Sequence, residues 1–237
     1  MRLSHVLLCV AALLAVPVTS IRADELPPTQ PVSSVRKSSP VYPLDALLKG
    51  KTGWAEVRFM VDYSGRAVMT CVASSSGPSF GHALLADVEA NEFIPPRTNG
   101  KPTLTLTGER FIFEGEAQLD PGQKRVLAEL RQAIPTITPA AELDKPLVAT
   151  RQQAPVYPYA LESDGLSGRA EIEFIVDRDG RAVFPRVVSA TQEDFGWSAA
   201  TAISHWKYQP PVKAGVKVDA RAKVTVNFDH NKGTATW

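Results

Sequence analysis

Asp177-Arg178-Asp179-Gly180 spaces two carboxylates and a glycine much as a calcium-binding loop does. Such a loop needs further oxygens and a distal glutamate at fixed spacing, and neither follows here. The matching tetrapeptide 115 residues earlier is Asp62-Tyr63-Ser64-Gly65, where serine replaces the second acid. A tight hairpin accounts for both, because the final glycine supplies the positive φ of such a turn. The four histidines, His5, His82, His205 and His230, stand singly, without metal-ligand spacing. Gly77-Pro78-Ser79-Phe80-Gly81 has the wrong order for a Gly-x-Ser-x-Gly nucleophile elbow. Glu56 and Glu171 recur as a matched pair, but on the more open side of a strand, where solvated charge explains them. Cys71 is matched by Arg186, which supports an outward orientation, although a half-buried small residue is the simpler expectation. These residues predict no enzyme, no metal and no cofactor.

The strongest pattern is a repeat. Pro40-Val41-Tyr42-Pro43 returns as Pro155-Val156-Tyr157-Pro158. The same ungapped offset of 115 carries Gly53 onto Gly168, Asp62 onto Asp177, Phe80 onto Phe195, Pro95-Pro96 onto Pro210-Pro211 and Phe113 onto Phe228. The chain holds two copies of one small domain, so function is sought in what a single copy can do.

Residues 1–23 read as an export signal, with Arg2 ahead of an apolar run from Val6 to Val16. A membrane-spanning helix needs ~20 apolar residues, so cleavage is the expectation. Loss of Arg2 and Arg22, with no acid, turns the net charge of +1 into −1. That balance argues against nucleic acid and against a basic membrane-binding face. One cysteine then remains, which excludes an internal disulfide.

The expected organisation is a flexible leader at 24–37, a first domain at 38–114, a linker at 115–152, a second domain at 153–229 and a polar tail at 230–237. The linker predicts a helix from Gln123 to Ile134 that packs on a neighbouring domain. Within each domain a short helix follows Tyr-Pro. Ala55, Val57, Phe59 and Val61 then alternate with Trp54, Glu56, Arg58 and Met60, as Ala170, Ile172, Phe174 and Val176 do with Arg169, Glu171, Glu173 and Ile175. A hairpin turn leads to a second strand, with Val68 and Val72 on one face, matched by Val183 and Val187. A helix led by Phe80 or Phe195 follows, with Ser79 and Asp194 as N-caps. It stops before the proline pair, and a last strand closes the unit. The fold class is α+β: two tandem domains, each α-β-β-α-β, with a three-stranded antiparallel sheet and two helices on one face.

Tyr-Pro, a glycine about ten residues on, the alternating strand, Asp-x-x-Gly, Val-x-x-x-Val, the Phe-led helix and an aromatic-x-Pro before the last strand together resemble the TonB C-terminal domain. Both copies carry the pattern. Trp206, Tyr208 and Pro210 reproduce the family's helix ending, whereas copy one has Asn91, Phe93 and Pro95. The resemblance implies a module in the Gram-negative periplasm that captures a short peptide of an outer-membrane transporter on a sheet edge. The Pro-rich rod of TonB itself has no counterpart in the short leader.

On that reading the last strand of copy two is the main binding edge, through Arg221, Lys223, Thr225 and Asn227. The resemblance also brings Tyr157-Pro158 and Tyr42-Pro43 near the peptide, with packing as their main role. The expected partner is an extended segment of an outer-membrane or periplasmic protein. Two alternatives stand beside it. One is an energy transducer held in the inner membrane by an uncleaved N-terminus. The other is an assembly protein that forms homodimers through its sheet edges.

Overall fold

The computed structural model describes residues 32–35, 38–134 and 136–237. The expected export signal lies outside these residues. Copy one comprises α1 (Leu44–Leu48), β1 (Gly53–Val61), β2 (Ala67–Ser75), α2 (Pro78–Ala90) and β3 (Thr105–Phe113). Its strands form an antiparallel sheet in the order β2-β1-β3. Ala55, Val57, Phe59 and Val61 are buried on the helix side, packed with Leu47, Phe80, Leu84 and Val88. The strict alternation of β1 dictates this: one face is apolar and needs a cover.

The linker gives α3 (Pro121–Leu130) and a two-residue strand β4 (Thr138–Pro139). Copy two comprises α4 (Tyr159–Ser163), β5 (Gly168–Val176), β6 (Ala182–Ala190), α5 (Glu193–Ile203) and β7 (Ala220–Asp229). The chain closes with β8 (Thr234–Thr236). The α+β reading holds for both units. Copy two carries more than three strands, however: β8 pairs with Asn227–Asp229 and β4 runs parallel to Ala220 and Arg221. The segment read as a polar tail is therefore partly sheet. The end of the leader is likewise tied down, since the Val35 N–H donates to Glu92 O and the Ile94 N–H to Ser33 O.

Three local expectations change. Gly77 and Gln192 occupy the N-cap positions of α2 and α5, so Ser79 and Asp194 lie inside the first turns. Helix α3 begins at Pro121 under an Asp120–Gln123 capping box and ends at Leu130, which leaves Ile134 83 % exposed beyond it. Cys71 is exposed.

The fourth difference concerns sheet faces. Val68 pairs with Met60 on the outer face, whereas Val72 pairs with Val57 on the helix side. A bulge at Met69 (φ 50°) separates them, and Phe184 (φ 52°) repeats it in copy two. One extra residue swaps the faces of everything beyond it, so a four-residue spacing no longer means one side.

The two copies pack against each other. Helix α2 lies on α5, α1 touches β6, and α4 touches β2. The exchanged contacts make this a pseudo-two-fold interface within one chain. His82 anchors it, with Nδ1 2.8 Å from Asp194 Oδ1 and Nε2 3.3 Å from Glu193 Oε2. Helix α3 breaks the symmetry. Its Val126 and Leu127 are buried in an apolar cluster that joins Ile175, Val183 and Phe184 on the outer face of copy two to the core of copy one.

Candidate peptide-binding edges

Two sheet edges bear on the site, and backbone direction decides what each offers. In an antiparallel ladder alternate residues aim their N–H and C=O groups at opposite neighbours. The Asp219 carbonyl accepts from the Thr138 N–H at 2.9 Å, on the side away from β5. The β5–β7 register is unbroken from Ala220 to Phe228. Arg221, Lys223, Thr225 and Asn227 therefore all aim their backbone outward.

The molecule itself takes two of these four positions. Arg221 pairs with Pro139 of β4, and Asn227 with Thr236 of β8. Lys223 and Thr225 remain between them, paired to no other strand among the described residues. Beside this gap is a groove of about 540 Å³ lined by Leu147, Phe174, Trp206, Tyr208, Ala222 and Val224. Most of its walls are aromatic and aliphatic, with Gln152, Arg221 and Lys223 adding polar groups, so an extended segment laid on the gap would place alternate side chains against them. Burial, eased by a hydrogen bond with Gln152, pushes the Tyr208 hydroxyl up to about 12, which keeps it neutral. On the opposite face the Lys223 ammonium lies 3.4 Å from Glu171.

Copy one offers a longer stretch. The Gln118 side-chain amide donates to Ile112 O at 2.8 Å, and its oxygen accepts from the Glu114 N–H at 3.2 Å. One glutamine thus stands in for one residue of a neighbouring strand. By the same alternation Leu106, Gly108 and Arg110 aim outward, and β1 is the sole strand partner of β3 among the described residues. Sequence reasoning missed Gln118 and ranked the last strand of copy one below that of copy two. The position matching Gln118 is Gly233, so the repeat gives no signal there.

Tyr42 and Tyr157 are core residues. The Tyr42 hydroxyl donates to Lys51 O at 2.7 Å, and its ring stands edge-on to Phe80 and Phe113. The Tyr157 hydroxyl donates to Leu166 O at 2.5 Å, with its ring edge-on to Phe195 and Phe228. Pro43 and Pro158 sit at the N-caps of α1 and α4. None of the four lines the groove beside Lys223. The structure thus gathers the strand residues and leaves the Tyr-Pro pairs in packing roles.

The hairpin aspartates serve their own turns. Asp177 Oδ1 accepts from the N–H groups of Asp179 and Arg181 at 3.0 and 2.8 Å. Asp62 Oδ1 accepts from those of Ser64 and Arg66 at 2.8 and 2.9 Å.

The two α+β units thus each present a backbone edge, and the edge of copy two lies beside a groove. The family described as "Gram-negative bacterial TonB protein C-terminal" matches residues 38–114 and 153–230, and the chain belongs to that family in two tandem copies. The family is a non-catalytic, energy-transducing module associated with TonB-dependent outer-membrane transport, and its domains face the periplasm. Protein TonB of Vibrio cholerae serotype O1 is 30 % identical over 87 residues, a match spanning 36 % of this chain and 36 % of that protein. The solution structure of the Pseudomonas aeruginosa TonB C-terminal domain is 26 % identical, covering 36 % of this chain and 88 % of that one, with a TM-score of 0.32. The TonB2 protein of Vibrio anguillarum is 30 % identical, covering 41 % and 93 %, with a TM-score of 0.28. No helix among the described residues is long and apolar enough to cross a membrane.

Proposed function

We propose that the protein is a periplasmic, non-catalytic adaptor of TonB-dependent transport that binds an extended segment of an outer-membrane or periplasmic protein as an added strand. The observation that carries this reading is the outward backbone of Lys223 and Thr225, held between β4 and β8 beside an apolar groove. Family membership supports the transport context. The backbone of Leu106, Gly108 and Arg110 supports copy one as a second, longer landing site. Export with cleavage after Ser20 or Ala23 would deliver the protein to the periplasm, so the mature chain should begin at Ile21 or Asp24.

Proline tests the edges because it removes one donor and is tolerated where that donor faces solvent. Thr225→Pro and Arg110→Pro spare the internal ladders, since both N–H groups aim outward. A synthetic peptide from the N-terminus of an outer-membrane transporter is titrated against each variant. The variant at the working edge should lose about tenfold or more in affinity, which is about 1.4 kcal/mol. Two folded variants that bind like the parent would overturn strand addition.

A further inference from the structure

The offset of 115 allows each surface of one copy to be compared with its counterpart. On the outer face of copy two Val183 lies opposite Ile175, and Ile175 opposite Arg221. Ile175, Val183 and Phe184 are buried with Val126 and Leu127 of α3 in a cluster that also takes in the core of copy one. Charges fasten the helix there. Its N-cap Asp120 meets Arg181 Nη1 at 2.7 Å, and Arg125 forks onto Asp219, which Arg178 also holds at 3.2 Å.

The same face of copy one has no such cover among the described residues. Val68 lies opposite Met60, and Met60 opposite Leu106, so three apolar side chains form a continuous row. Met69, the match of Phe184, is 61 % exposed. Tyr63 and Leu104 match Arg178 and Asp219, and are 66 % and 43 % exposed. The Arg178–Asp219 pair, whose carboxylate receives Arg125 of α3, is thus replaced by Tyr63 and Leu104. Arg66, the match of Arg181, is kept; its guanidinium is more than half exposed and reaches Glu162 at 3.4 Å.

We propose that this face of copy one is a docking surface for an amphipathic helix of a partner protein. The occupant is a helix because the same face of the same fold already holds one in copy two. Its N-cap is acidic, to meet Arg66 as Asp120 meets Arg181. Its stripe is more apolar than that of α3, with leucine or a similar residue where α3 carries Arg125, because Leu104 and Tyr63 offer no carboxylate. Exposed apolar clusters mark interaction sites, and the two methionines adapt to an incoming surface. The surface is a sheet face, separate from the edges discussed above.

The probe is a stapled helical peptide with the sequence of residues 119–131 carrying Arg125→Leu, titrated into the full chain while backbone amides are followed by NMR. Stapling removes the helix-forming cost that makes short free helices marginal. Shifts are expected at Met60, Val68, Met69 and Leu106, with a Kd on the order of 0.1 mM. The peptide with arginine restored should bind about fivefold more weakly. Met69→Asp in the protein should weaken binding at least about tenfold, and aspartate tolerates the positive φ at that position. Absence of these shifts at saturation, or shifts that survive Met69→Asp, overturns the proposal. So does a dimer in sedimentation that Met69→Asp dissociates, which gives the face to a second copy of this chain. So does protection of these amides in the full chain that is lost in a chain beginning at Asp24, since the 115 offset matches α3 to residues 6–15.

Discussion

The two copies share a backbone plan and differ in what closes the end of the second helix. In copy two Trp206 plugs it, 1 % exposed, with Nε1 donating to Gln153 O at 2.8 Å and its ring edge-on to Phe174. In copy one the matching residue is Asn91, held in a polar cluster with Asp87 and Ser38. Ser38 Oγ lies 2.5 Å from Asp87 Oδ1 and 2.9 Å from Asn91 Oδ1, yet it has one proton to give. Below about pH 6 a protonated Asp87 supplies the second, since burial pushes that carboxyl up to about 6. The same fold thus tolerates an apolar plug or a hydrogen-bonded cluster at this position. The divergence continues outward. Copy two has a helix over its outer face and short strands on its edge, whereas copy one shows neither among the described residues.

The largest effect should come from exchanging the two solutions. Trp206→Ala leaves a large cavity and should cost roughly 3–5 kcal/mol. Asn91→Ala removes hydrogen bonds from a cluster that can rearrange, and should cost about 1 kcal/mol. Urea unfolding followed through amides specific to each copy gives both values. Equal costs would mean that the asparagine cluster is as central to copy one as the indole is to copy two.

Much of this asymmetry was legible in the sequence. The Trp206/Asn91 mismatch stands out in any superposition at offset 115, and alternation in β1, β5 and β7 fixed which residues are core. The bulges were not legible, because positive φ at Met69 and Phe184 is set by the ladder and not by residue type. They moved Val68 and Val72 to opposite faces. Partner strands were equally silent: β4 and β8 are two and three residues long, too short for periodicity to register. Arg221, Lys223, Thr225 and Asn227 could be named as candidates from the last strand, but which of them the protein itself would cover could not. The role of α3 over copy two was anticipated only as packing; its ion pairs with Arg181 and Asp219 join residues 61 and 94 positions apart.

A middle-sized effect should appear with pH at the boundary between the copies. Glu89 of α2 is pushed up to about 7, by burial first, against hydrogen bonds from Thr70 and the Tyr159 N–H and with the Asp194 charge nearby. Asp87 is pushed up to about 6, also by burial first. His82 is raised by its hydrogen bond to Asp194. In all three the folded value lies above the unfolded one, so the folded chain holds more protons through the window. The stabilisation is complete below the unfolded values and is lost as pH rises through about 6 to 7 and then through the raised His82 value. Stability should therefore fall between pH 5 and pH 8 by roughly 1–3 kcal/mol. Glu89→Gln keeps both hydrogen bonds and should flatten part of that slope and stabilise the protein at pH 8. A slope unchanged by Glu89→Gln would move the effect to Asp87 and His82.

The smallest effect concerns the edges. Removing residues 234–237 strips β8 and the Trp237 ring, which lies 5.4 Å from Trp206. The stability cost should be about 1 kcal/mol, because the strand is short and mostly exposed. Hydrogen exchange should respond more clearly. The Asn227 amide should speed up to the rate of Lys223 and Thr225, which have no partner strand. Gln118→Ala is the matched change in copy one and should release the Glu114 amide. If β8 competes with an incoming segment for β7, the truncated chain should bind the transporter peptide more tightly, by about threefold, and Gln118→Ala should do the same at β3. An Asn227 amide still protected after truncation would show that the edge of copy two is closed by something other than β8. The openness of copy one would then set the two edges apart more sharply than strand pairing alone.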